Sequence, residues 1–189
     1  MNTNIQNAIT LFQSGQLDKA QEICTEIRKQ DPQNLINLNL LGIILFQKKE
    51  FKESIKIIEE SIKLNPNQAE IYNNLGIAYS QIKNLDNAIK AYTNSIKINP
   101  QFVDALNNLG IAYKEIKKKN EAIECWNKVI AIDKNNAKAY NNIGSILFDT
   151  EKYEKSIDYF NKAIILDKKF YQAYFNRGNA YQKINLFKE

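Results

Sequence analysis

Histidine is absent from all 189 residues, and with it go the commonest general base and the commonest metal ligand. No metal site and no cofactor are expected. Carboxylate pairs such as Glu59 and Glu60 lie on the polar side of a helical pattern, where a solvated face accounts for them. The two cysteines, Cys24 and Cys125, fall on apolar faces far apart in the chain and read as small core residues. No apolar run reaches the length of a membrane span, and the opening "MNTNIQNAIT" lacks the charged and apolar regions of a secretion signal, so a cytoplasmic location is expected. Glycine is too sparse for a phosphate-binding loop, with six in the chain. A formal charge of +5 could suggest a nucleic-acid partner, but it is spread along the chain, and Lys117, Lys118 and Lys119 fall in a turn between helices. Neither nucleic acid nor membrane is therefore an expected partner, and no catalytic residue is assigned.

What is present is order in the placement of those few glycines. Gly42, Gly76, Gly110, Gly144 and Gly178 recur every 34 residues, inside apolar segments such as "YNNLGIAY". A glycine in a helix interior costs roughly 0.5–1 kcal/mol relative to alanine, so the column needs an offset, and close approach of a neighbouring helix backbone is the expected one. Gly15, off this register in "QSGQLD", reads as a turn.

Counting each repeat from Leu35 puts the glycine at place 8, and other residues fall into columns. Place 20 is always small (Ala20, Ser54, Ala88, Ala122, Ser156), while place 24 carries Cys24, Ile58, Tyr92, Trp126 and Phe160. Place 31 is always Asp or Asn, followed by Pro32, Pro66 and Pro100 in the first three units, which is stop-and-restart punctuation between helices. Apolar residues recur within a unit at steps of three and four, so each unit makes two amphipathic helices. Short polar turns force the two to run antiparallel, with places 4, 7, 8 and 11 of the first helix facing its partner. The predicted architecture is all-α.

These columns in a 34-residue unit resemble the tetratricopeptide repeat. The resemblance covers 1–34 as an N-terminal capping repeat, 35–170 as four repeats, and 171–189 as either a capping helix or part of a sixth repeat. It implies a right-handed α-solenoid of stacked helix pairs whose first helices line a concave groove, and a protein or peptide as the partner in that groove. Repeats of this kind bury their apolar faces only by stacking, so a monomer is expected if 171–185 caps the stack, and self-association if it does not.

The groove stripe then comprises places 2, 5, 6, 9, 12 and 13. Place 6 holds Asn74, Asn108, Asn142 and Asn176 in succession, and place 5 holds Asn39, Asn73, Asn107 and Asn141. Asparagine is a poor helix former, so its recurrence there needs a reason. One is composition, since the chain is rich in Asn throughout; another is bridging between neighbouring repeats. The functional reading is a column of primary amides, each a donor and an acceptor, that hold an extended peptide backbone without reading its side chains. In this the units look like the asparagine-ladder repeats of O-linked N-acetylglucosamine transferase, which would place a peptide-binding role on Asn74, Asn108, Asn142 and Asn176, with Asn73, Asn107 and Asn141 beside them. Ile43, Ile77 and Ile111 at place 9 add apolar contacts. The family's carboxylate clamp for chaperone tails is not matched, because place 5 is never Lys and place 6 is never Arg. The expected function is a non-catalytic interaction module or scaffold. Its rivals are the substrate-recognition arm of a glycosyltransferase and a structural subunit of a large assembly.

Overall fold

The computed structural model describes residues 2–186, with side chains from 4 to 185; Phe187 and Glu189 at the end of the sixth unit lie outside them. All regular elements among these residues are α-helices, two to a repeat. They are α1 (Asn2–Gln13) and α2 (Leu17–Gln30), α3 (Leu35–Gln47) and α4 (Phe51–Leu64), α5 (Ala69–Gln81) and α6 (Leu85–Ile98), α7 (Val103–Glu115) and α8 (Lys119–Ile132), then α9 (Ala137–Phe148) and α10 (Tyr153–Leu166), followed by the single helix α11 (Tyr171–Leu186). Two compact units divide the chain, Met1–Phe102 and Val103–Glu189. Within each unit a first helix packs on its own second helix, and that second helix on the first helix that follows. This is the α-solenoid arrangement of helix pairs that the columns imply. None of the described helices is long and apolar enough to cross a membrane.

The same turn reverses the chain in every pair. The residue at place 15 takes a left-handed backbone in Gly15, Lys49, Lys83, Lys117 and Glu151. Its amide donates to the carbonyl of place 12, and the next amide to that of place 11, as in Lys49 to Phe46 and Glu50 to Leu45, both at 2.9 Å. This is the double closure of a Schellman C-cap. Gly15 is thus the glycine member of a second column, filled elsewhere by Lys and Glu. Between repeats the place-31 side chain folds back on its own backbone: Asn65, Asn99, Asp133 and Asp167 each accept from the amide two residues on, at 2.9–3.1 Å. That local bond competes with helix continuation and ends the second helix there.

The core lies where small residues let the helices close. Places 3 and 10 of the first helix, outside the expected partner-facing set, are fully enclosed in Ala105, Ala112, Ala139 and Ile146, while Tyr79, Tyr113 and Leu147 at place 11 are only half-buried. The glycine column has a different offset from the one expected. A Cβ on Gly76 would stand 2.5 Å from the Tyr92 ring, and one on Gly110 or Gly144 would stand 2.7 Å from the Trp126 or Phe160 ring. The place-24 side chain of the pair's own second helix, not a neighbouring backbone, uses the room. The first repeat makes the same fit in reverse, with Ala8 at place 8 facing Cys24 at place 24, both fully buried. Gly178 on α11 has no described atom within 4 Å of such a Cβ.

Candidate functional site

The first helices set the open stripe, and the two asparagine places behave differently on it. Place 5 turns inward more than the pattern implies. Asn73 and Asn141 are each 6 % exposed, and Asn39 accepts from the Ser61 hydroxyl while its Nδ2 donates to Gln68 Oε1 at 3.0 Å. These amides brace helix against helix. The facing second helix decides which amides are satisfied: the Ser61 hydroxyl donates to Asn39, whereas place 27 beyond Asn107 is Val129, which has no hydroxyl to offer, and the Asn107 Oδ1 is buried without a partner.

Place 6 stays half-buried in Asn74, Asn108, Asn142 and Asn176. Among the described residues the side chains of Asn74 and Asn142 make no hydrogen bond. Asn176 is engaged, donating to Asn141 Oδ1 at 3.0 Å and accepting from Gln172 Nε2 at 2.9 Å. Bridging between repeats is therefore real at that position. At place 9, Ile43 and Ile77 are half-buried and Ile111 is 45 % exposed.

Beside these amides each unit has a recess built from the same places. In the first unit a cavity of about 170 Å³ between α3 and α5 is lined by Gly42, Ile43, Phe46, Ile58, Asn74 and Ile77. In the second, a cavity of about 160 Å³ between α9 and α11 is lined by Ser145, Phe148, Asp149, Phe160, Asn176 and Asn179. Places 9, 12 and 24 of one repeat and places 6 and 9 of the next recur in both. The walls differ: three isoleucines and one phenylalanine beside a single amide in the first unit, and hydroxyl, amides and a carboxylate over two phenylalanine rings in the second. The stripe includes places 12 and 13 along with 6 and 9, yet Phe46, Phe148 and Asp149 on it are not among the expected contact residues. An aromatic at place 12 next to an aromatic or aliphatic place 24 was the available signal. At the equivalent position on α7, Lys114 reaches over to α9, where its Nζ donates to Ser145 Oγ at 2.7 Å and stands 3.8 Å from Asp149 Oδ2.

The arrangement offers little reactive chemistry. Burial pushes the Cys24 and Cys125 thiols up to about 11, so both stay protonated near neutrality. No group of His, Cys, Asp and Glu among the described residues could hold a metal ion. What the stripe presents is amides flanking side-chain-sized recesses.

A family model for the tetratricopeptide repeat matches residues 69–102, 103–136 and 137–170, and a second model of the same name matches 11–76. Curated protein sequences give no match. Among solved structures, the crystal structure of MamA is similar at a TM-score of 0.82 and 27% identity, over 86% of this chain and 95% of that one. A tetratricopeptide repeat protein from Parabacteroides merdae ATCC 43184 superposes at a TM-score of 0.87 with 18% identity, over 97% of this chain and 73% of that one. YrrB, described as a TPR protein with an unusual peptide-binding site, superposes at 0.81 with 18% identity, over 93% of this chain and 90% of that one. At such identity the last two are alike in fold alone.

Proposed function

The chain belongs to the tetratricopeptide repeat family and is a protein-interaction module, and from that premise we propose that it holds an extended peptide against its first helices without catalysing any reaction on it. The observation that carries this reading is the recurrence of one recess, at the same places, in both units, each with a place-6 amide on its rim. An amide beside a pocket suits a peptide, because the amide pairs with a backbone C=O or N–H while the pocket takes the neighbouring side chain. Nucleic acid suits it less, since Lys114, Lys138 and Lys183 on the same stripe are offset by Glu70, Asp104, Glu115 and Asp149, which leaves no net positive field for phosphate.

Within this proposal Asn74 and Asn142 do most of the backbone reading, because their amides are not already engaged. Asn108 contributes by register, and Asn176 does so only by exchanging its bond to Asn141. Asn73, Asn107 and Asn141 act behind them by fixing helix positions. That is a thinner ladder than the resemblance to glycosyltransferase repeats implies. A cytoplasmic setting belongs to the same proposal and suits two unpaired, buried thiols.

The test is affinity for a labelled nonapeptide selected from a randomised library on the whole chain. Each net amide hydrogen bond is worth about 0.5–1.5 kcal/mol, so Asn74→Ala with Asn142→Ala should weaken binding roughly tenfold, with an unchanged helical circular dichroism spectrum. Undiminished affinity in the double variant would mean that the peptide lies elsewhere.

A further inference from the structure

We infer that the recess between α9 and α11 is a subsite for a basic side chain, an arginine or lysine of the bound peptide, while its counterpart between α3 and α5 takes an apolar one. This rests on the peptide-binding reading and adds the chemistry of the ligand. Asp149 supplies a carboxylate to the wall of the recess, half-exposed and with no hydrogen bond to its carboxylate oxygens among the described residues; Lys114 Nζ stands 3.8 Å from one of them, and Lys119 Nζ donates to the Asp149 backbone carbonyl at 3.1 Å. The surrounding acceptors are the Ser145 hydroxyl and the side-chain oxygens of Asn176 and Asn179, and the remaining walls are the Phe148 and Phe160 rings. A carboxylate, amide oxygens and aromatic faces together match a guanidinium or ammonium, whose charge pairs with the first, whose N–H groups meet the second, and whose flat or methylene body rests on the third. An aliphatic side chain would desolvate the Asp149 carboxylate without supplying a charge to pair with it. In the first unit the same places are Ile43, Phe46, Ile58 and Ile77 around Asn74, where a charge would have no partner.

Lys114 sharpens the inference. Its ammonium already sits against Ser145 and near Asp149 from the neighbouring helix, so it occupies part of the field that a ligand cation would use. It acts as an internal competitor.

The experiment is a positional-scanning nonapeptide library bound to the whole chain, with one position fixed as Arg, Lys, Leu, Ala or Glu and the rest randomised. Wild type should favour Arg or Lys at one position and Leu at another. Asp149→Asn should reduce the basic preference about fivefold and leave the Leu preference unchanged, whereas Lys114→Gln should raise the basic preference. Retention of the basic preference in Asp149→Asn, or selection of Glu at that position through Lys114, overturns the assignment of a basic subsite while peptide binding itself stands. Absence of selection at every position overturns both readings.

Discussion

The recess of the first unit and that of the second are framed alike, with a tight helix pair behind, a place-24 side chain as one wall and a place-6 asparagine from the following helix. They diverge at places 9 and 13, where Ile43 and Gln47 are answered by Ser145 and Asp149, and again at place 9 of the following helix, where Ile77 is answered by Asn179; place 12 is phenylalanine in both. The difference teaches that a repeat separates its tasks by position. Places 8, 20 and 24 hold the pair together: place 20 stays small, and the one residue larger than glycine at place 8, Ala8, is matched by the small Cys24. Places 9 and 13 carry no packing duty of that rank and are free to set ligand chemistry, whereas Phe46 and Phe148 at place 12 pack on the core and on the Phe51 and Tyr153 rings.

The largest effects should come from breaking the shared frame. Phe160 is fully buried, and Phe160→Ala should cost about 3–5 kcal/mol, as large-to-small core changes of this kind do, measured by urea denaturation. Gly144→Ala should cost about 1–3 kcal/mol through overpacking, because its methyl would stand 2.7 Å from that ring. The two should not add: with the ring gone the methyl meets space, so the double variant should be no worse than Phe160→Ala alone. Additive losses would mean that Gly144 is there for a reason other than Phe160.

Next in size is an exchange of the variable places. Ile77→Asn gives the first recess the place-9 residue of the second, and should lower affinity for a peptide selected through its Leu preference by about tenfold, since full burial of an aliphatic side chain is worth about 1.5–3 kcal/mol. Fluorescence anisotropy with that peptide reads it directly. An unchanged affinity would show that the first recess takes no side chain, and the comparison between the two would lose its functional meaning.

Much of the frame was legible because it is periodic. Five glycines in register, a small place 20 and an Asx at place 31 define helix, turn and pair without reference to anything distant. The partner of the glycines was misjudged, as neighbouring backbone instead of a ring, because spacing locates a close approach but does not say which atoms make it. Place 5 failed for a similar reason: whether Asn39, Asn107 or Asn141 is satisfied depends on Ser61, Val129 or Asn176, residues 22 to 35 positions away. A helical wheel treats place 5 as a neighbour of place 6, and only the facing helix decides which of the two is covered. Asp149 was passed over because a lone carboxylate near a turn reads as solvated until α11 is seen beside it.

The Gly178 position should distinguish α11 from the four covered pairs by a smaller amount. With no described atom within 4 Å of its virtual Cβ, Gly178→Ala should stabilise by about 0.5–1 kcal/mol through helix propensity and a less flexible unfolded chain. This is opposite in sign to Gly144→Ala, and thermal melts of the two variants side by side would show it. Destabilisation at Gly178 would reveal a neighbour packed on that face.

The smallest effect is the one that should be equal in both units. Lys49 and Glu151 sit at place 15 with φ near +60°, a conformation that costs a side-chain-bearing residue roughly 1–2 kcal/mol and costs glycine almost nothing, though glycine returns about 0.5–1 kcal/mol as extra unfolded-state entropy. Lys49→Gly and Glu151→Gly should therefore each stabilise by a net of about 0.5 kcal/mol, and by the same amount within error, because the Schellman bonds around them match: Glu50 to Leu45 and Lys152 to Leu147, both 2.9 Å. Gly15 shows that the chain already accepts glycine there. Equal shifts in denaturation midpoint would confine the difference between the units to the recess walls. Unequal shifts would place part of it in the turns and weaken the division of labour between frame and recess.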